Sequence, residues 1–174
     1  SGGVTMKTLF ASILLLSPSF LAAQTCYSTV PETTSTARFT LNNDGTVSDS
    51  VTGLMWQTCS YGQSYDADTT SCTNSAIKTS WQEALRASVN DRTANHDDWQ
   101  VPNNKELASI LEHSCVTPSI NEVIFKGNKS ENYWTSTSGV IDPGFAWVYT
   151  FDRGLNSLHA KTSNVYLRLV RYED

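Results

Sequence analysis

The chain has 174 residues with 12 Lys+Arg against 17 Asp+Glu; it is 39% hydrophobic and only 17% charged, with four Cys and five Trp. Soluble proteins average roughly 25% charged, so this composition excludes a charge-rich disordered tail, and a formal net charge of −5 argues against a nucleic-acid binder, which needs Lys and Arg against phosphates. The length suits one domain, and a core of ~150 residues can bury roughly 70% of its unfolded surface, so disulfides would add to a hydrophobic core rather than replace it.

Ser1 to Thr5 precede Met6 and read as an added remnant. Residues 6–23 then have the three-part layout of a secretory signal: Lys7, an apolar run from Leu9 to Leu16, Pro18 as a breaker, and Leu21-Ala22-Ala23 as a small-residue end. The run is too short to cross a ~30 Å bilayer as a helix. Thr25 stands before Cys26 where a lipoprotein would want Ala or Gly. Cleavage after Ala23 is expected to leave an exported chain without a membrane span, destined for the periplasm, the medium or the cell surface. Its first part, 24–36, reads as an N-terminal segment and 37–174 as the domain.

Export favours disulfides for Cys26, Cys59, Cys72 and Cys115. Four cysteines allow three pairings. Cys59 and Cys72 enclose a polar stretch with no hydrophobic periodicity, and a bridge there would staple a loop. Cys26 would then pair with Cys115, tying the N-terminus to the end of a helix. Zinc is disfavoured, because the spacings contain no Cys-x-x-Cys and His113 near Cys115 stands alone.

Ala37 to Leu41 alternates and runs through Asn42-Asn43-Asp44-Gly45 into Thr46-Val47-Ser48, a strong hairpin signal. Leu54-Met55-Trp56-Gln57 follows the Thr52-Gly53 turn as another strand. Ser80-Trp81-Gln82-Glu83 is a capping box that starts a helix with Trp81, Ala84, Leu85 and Ser88 on one face. Asn103-Asn104-Lys105-Glu106 is a second box, with Leu107, Ile110 and Leu111 as its apolar stripe. Strands are expected at Tyr133–Thr137, at Phe145–Phe151, at Leu155–Ala160 after an Arg153-Gly154 turn, and at Val165–Tyr172. Strands, then helices, then strands predict an α+β fold with a mostly antiparallel sheet and two helices.

The ordered set Thr52-Gly53-Leu54-Met55-Trp56-Gln57, Trp81-x-x-Ala84, Asp98-Trp99-Gln100-Val101-Pro102-x-x-x-Glu106-Leu107, Tyr133-Trp134-Thr135-Ser136-Thr137, Ala146-Trp147-x-x-x-Phe151-x-x-Gly154 and Val170-Arg171 resembles the Lcl C-terminal domain family, named for the domain that closes the Legionella collagen-like adhesin. The resemblance runs from about Arg38 to Tyr172. It implies a secreted or surface-exposed module of C-type-lectin-like architecture, with adhesion or glycosaminoglycan binding as its best-known role. The pattern departs from many members, which carry Gly-Tyr ahead of the Asp-Trp and Arg just after it; Asn95-His96 and Gln100 stand here, so any ion pair that Arg makes elsewhere is absent or replaced.

Trp56, Trp81, Trp99, Trp134 and Trp147 each sit in a predicted element beside apolar neighbours and are expected in the core rather than as sugar-stacking platforms. Arg171 shares a face with Leu167 and Leu169 and is expected to be partly buried against a carboxylate. Catalytic signals are thin: His96, His113 and His159 lie in separate elements, and there is no Gly-x-Ser-x-Gly elbow or phosphate loop. No cofactor is expected. The acidic excess is confined to the first part, with five Lys+Arg against eleven Asp+Glu from Gln24 to Ser119, whereas 120–174 holds six of each. That leaves room for a basic patch near Lys126, Lys129, Arg153, Lys161 and Arg168.

The reading is a non-enzymatic binding domain that recognises a glycan, sulfated or not, or a surface protein. Its ligand surface is expected on two loops that a rigid scaffold lets vary: the stapled loop with Tyr61, Tyr65, Asp66 and Asp68, and the sheet end with Asp142, Arg153, Asn156, His159 and Lys161. The alternatives are a subunit of a surface fibre or homo-oligomer without a small ligand, and a hydrolase.

Overall fold

The computed structural model describes residues 1–3 and 23–173; the signal segment expected over 6–23 lies, but for its last residue, outside the described residues. The strands are β1 (Thr25–Cys26), β2 (Phe39–Leu41), β3 (Thr46–Asp49), β4 (Leu54–Gln57), β5 (Ser64–Asp66) and β6 (Ser71–Thr73). Helices α1 (Trp81–Asn90) and α2 (Asn104–Ala108) follow, then β7 (Cys115–Val116), β8 (Asn132–Ser138), β9 (Phe145–Thr150), β10 (Leu155–Ala160) and β11 (Val170–Tyr172). All the ladders are antiparallel: a four-stranded sheet β11-β4-β3-β2, a three-stranded sheet β10-β9-β8, and the pairs β1-β7 and β5-β6. The α+β class read from the sequence therefore holds.

Local chemistry explains most boundaries. The β2–β3 turn places Asn43 and Gly45 at positive φ (60° and 89°), which Asn and Gly tolerate best. Arg38 clamps the hairpin from one end, with Nε and Nη2 both on the buried carboxylate of Asp49. Both helices start on complete capping boxes, Ser80 with Glu83 and Asn103 with Glu106. The second helix is shorter than its apolar stripe. It ends at Ala108, and the chain winds on in tighter turns, Ile110 N–H to the Leu107 carbonyl and Leu111 N–H to Ala108, which still bury both side chains.

Two apolar clusters fill the interior. One gathers Phe39, Val47, Trp56, Leu107, Phe125, Tyr133 and Phe151; the other gathers Met55, Ala84, Trp99, Trp134, Val148 and Leu167. Trp56, Trp99 and Trp134 are buried, as expected; Trp81 and Trp147 are only half-buried. Two of the three buried indoles find carbonyl partners, Trp134 donating to Thr79 at 2.8 Å and Trp99 to Thr93 at 3.1 Å, whereas Trp56 Nε1 has none among the described residues.

The expected strand Val165–Tyr172 is not one strand. Val165 bridges Thr79, Tyr166 bridges Tyr133 in the parallel sense, and only Val170–Tyr172 joins β4. The segment passes from one sheet to the other with protein on both sides, so Leu167, Arg168, Leu169 and Val170 are all buried and alternation is lost.

Both disulfides form as the preferred pairing has them, Cys59–Cys72 and Cys26–Cys115. Cys26 and Cys115 face each other across the β1–β7 pair, which corrects the expectation of a helix end. The stapled loop is not irregular but an antiparallel hairpin, with Tyr65 opposite Cys72. The N-terminal segment is also bolted down by Glu112, which is 4% exposed. The N–H and hydroxyl of Thr34 donate to its Oε2 at 2.8 and 2.6 Å, and the N–H and hydroxyl of Ser114 donate to its Oε1 at 3.0 and 2.7 Å.

Candidate functional site

An open groove of about 460 Å³ runs between α1 and the root of the stapled hairpin, lined by Tyr61, Ile77, Lys78, Glu83, Arg86, Asn90 and Asp91 among others. Its floor is built by the backbone. Tyr61 N–H donates to the Leu167 carbonyl at 2.8 Å and Ile77 N–H to the Tyr61 carbonyl at 2.9 Å. Gly62, at φ +90°, lets Ile77 lie against it; a Cβ there would come within 2.4 Å of Ile77 Cγ1.

Beneath that floor sits Arg168, which is fully buried rather than part of a basic patch. Its Nη1 donates to the carbonyls of Gln57 and Thr58 at 2.7 and 2.6 Å, and Nη2 donates to Asn128 Oδ1 at 2.9 Å. Among the described residues no carboxylate pairs with it, and burial pushes its pKa down to about 10, still cationic at neutral pH. The guanidinium thus holds the chain just before Cys59 and Tyr61.

The groove wall carries polar groups with unused capacity. Lys78 is committed to Glu131. Glu83 spends Oε2 on the Ser80 N–H and hydroxyl, and these bonds, the backbone one foremost, hold its pKa below the ordinary carboxylate range. Asp91 Oδ1 accepts from Gln57 and from Thr93 N–H. Arg86 and Asn90, one turn apart on the exposed face of α1, and the Tyr61 hydroxyl make no hydrogen bond among the described residues.

Of the residues expected to bind ligand, only Tyr61 faces this groove. Tyr65 packs beside Gly45, its hydroxyl 3.3 Å from Asn43 Oδ1. Asp66 closes the hairpin tip: its Oδ1 accepts from the N–H groups of Asp68 and Thr69, and hydrogen bonds from Thr69, then Asp68, lower its pKa. The second expected set is split along β10. Arg153 stands beside Asp152 at the hairpin turn and Asn156 lies just inside it, both exposed, while Lys161 and Asp142 stand at the other end, ~17 Å away by strand rise. Lys161 is occupied, lying 4.0 Å over the Trp81 ring and donating to Ser138 Oγ at 2.7 Å. Asp142 Oδ1 accepts from Gly144 N–H, and His159 Nε2 is 3.3 Å from Asn132 Nδ2. Arg86 and Asn90 were missed; their spacing of four on the polar face of a capped helix was the available signal.

The basic patch for which the charge distribution left room is not assembled. Arg168 is interior, Lys126 bonds Thr70, Lys161 lies on Trp81 and Arg153 sits on the far turn. Arg171, by contrast, is 4% exposed and pairs through Nε with Asp98 at 2.7 Å, the carboxylate partner expected of it, with Asp98 itself half-exposed. Among the described residues no group of three metal-ligating side chains converges.

Antiparallel sheets over two apolar clusters, a pair of disulfides and an open groove define a stapled α+β module. The family model described as the Lcl C-terminal domain matches residues 45–171, and the chain belongs to that family. No curated protein matches it. The disulfides fit an extracellular setting, and among the described residues no helix is long and apolar enough to cross a membrane.

Proposed function

We propose that the chain is an exported, non-enzymatic binding domain that serves adhesion by holding a glycan in the groove along α1. The observation that carries this is one half-buried aromatic ring, Tyr61, surrounded by unspent polar groups on Arg86, Asn90, Glu83 and Asp91 in an open, shallow setting. A pyranose has an apolar C–H face for the ring and hydroxyls that donate to carboxylates and accept from guanidinium and amide. The groove mixes both charge signs, so a weakly charged glycan fits better than a sulfated one. Family membership supports adhesion, and the C-type-lectin-like likeness implied by the motifs points the same way. Against hydrolysis, the lowered pKa of Glu83 makes it a poor general acid at neutral pH.

The test is a glycan array on the folded chain and on Tyr61→Ala and Arg86→Ala. Wild type should bind a set of glycans whose signal drops at least tenfold in Tyr61→Ala with the thermal midpoint unchanged. No binding to any glycan, at low or high salt, would sink the reading. A structural subunit of a fibre or oligomer is the second reading, favoured by the open edge of β10 and by Val140 and Ile141, which are 97% and 99% exposed at the β8–β9 loop. A strictly monomeric sizing peak at high concentration counts against it.

A further inference from the structure

Successive residues of β9 point to opposite faces of the sheet. Ala146 and Val148 enter the second core cluster. The other face carries Phe145, Trp147 and Tyr149, all half-buried, in a row whose members are about 7 Å apart by strand rise. Of the three only Tyr149 leans on a core cluster. The edge strand β10 extends the same face, placing Asn156 opposite Tyr149 and Leu158, 42% exposed, opposite Trp147. Among the described residues β10 pairs with β9 alone, so no strand lies beyond it.

The polar tips of this row are unspent. Trp81, Trp99 and Trp134 each donate the indole N–H to a backbone carbonyl. The Trp147 indole, the Tyr149 hydroxyl and the Asn156 amide have no hydrogen-bond partner among the described residues, and none of the three is among the buried orphaned atoms. Trp147 is held by its backbone instead, its carbonyl accepting from Thr135 Oγ1 at 2.8 Å. A ring that is partly open to solvent with its donor free differs from Trp81, Trp99 and Trp134, whose donors are bonded, and from Trp56, which is fully buried. None of Phe145, Trp147, Tyr149, Asn156 and Leu158 is charged at neutral pH, so the face offers nothing to attract an anion and nothing that needs a counter-ion.

We propose that the β9–β10 face is a second ligand surface, separate from the α1 groove, for an uncharged extended glycan, with Trp147 as the stacking ring and the Tyr149 hydroxyl and Asn156 amide as its hydrogen-bonding partners. Sugar rings lie flat on an aromatic row through their C–H faces, and a strand presenting three rings over about 13 Å suits several linked pyranoses rather than one. The inference does not require the α1 groove to be occupied.

The probes are cellohexaose and chitohexaose, titrated into the folded chain by calorimetry, with acrylamide quenching of tryptophan fluorescence as a second readout. At least one should bind, unchanged between about 0.05 and 0.5 M salt because no charge is involved, and should protect one tryptophan from quenching. Trp147→Ala should weaken binding at least tenfold and Asn156→Ala several-fold, while Tyr61→Ala leaves it unaltered. Trp147→Phe, which keeps a ring but removes the indole signal, should bind and show no protection; it reads the site if the alanine variant does not fold. The proposal fails if neither hexasaccharide binds, or if Trp147→Phe and Asn156→Ala bind as wild type with the protection intact. Loss in Tyr61→Ala alone would remove this surface and leave the groove reading standing.

Discussion

Glu112→Gln tests the bolt that holds the N-terminal segment. Burial disfavours the charge, but the hydrogen bonds from Thr34, Ser114 and Thr33 outweigh it and bring the carboxyl from its ordinary 4.5 to about 2. A tenfold change in proton affinity is worth about 1.4 kcal/mol, so the ionised carboxylate contributes about 3 kcal/mol to the folded state. Because the folded pKa is the depressed one, this contribution is complete above the unfolded value near 4.5 and disappears as pH falls through about 2. Glutamine keeps the shape but turns an amide donor toward groups that already donate. At pH 7 the thermal midpoint should therefore drop by about 6–12 °C for a domain of this size. The measurement is circular dichroism melting of both proteins from pH 7 to pH 2.5. The gap should stay constant down to about pH 5 and close below it. About a quarter of the gap should remain at pH 2.5; a gap undiminished there, or a variant within a degree of wild type at pH 7, would refute the account.

Two further outcomes concern the staples and the core. Reducing agent should lower the melting midpoint, and Cys26→Ser should cost more than Cys72→Ser, about 4–5 against about 3 kcal/mol by loop-closure entropy, because the bridges close separations of 89 and 13 residues; the opposite order in denaturant titration would contradict the loop argument. Trp134→Ala should cost ~3–5 kcal/mol through a cavity, since the ring is fully buried and its N–H is bonded to Thr79. Trp147→Ala should cost less than half as much; equal losses would show Trp147 to be a core residue and remove its role as a platform.

Local signals carried much of the architecture. Asn42 to Gly45, Ser80 with Glu83 and Asn103 with Glu106 act through neighbours within a few residues, so the hairpin and both helix starts were legible. Apolar neighbours in sequence likewise pointed Trp56, Trp99 and Trp134 inside. The candidate sites were legible only in fragments. Tyr61 was picked from its loop, but its companions Arg86 and Asn90 come from a helix 25 or more residues away. Trp147 was assigned to the core with the other four, because alternation shows which residues share a face and not what covers that face.

By itself the sequence determined the β2–β3 hairpin, the helix caps and the family, since each rests on short-range stereochemistry or on the order of motifs along the chain. Only the tertiary structure decided that Arg168 is interior, that the basic patch does not assemble, and that the second set of expected ligand residues is split along β10. A side chain's exposure depends on which distant segment packs over it. At Val165–Val170 that segment is a sheet on each side, and no pattern of nearest neighbours encodes it.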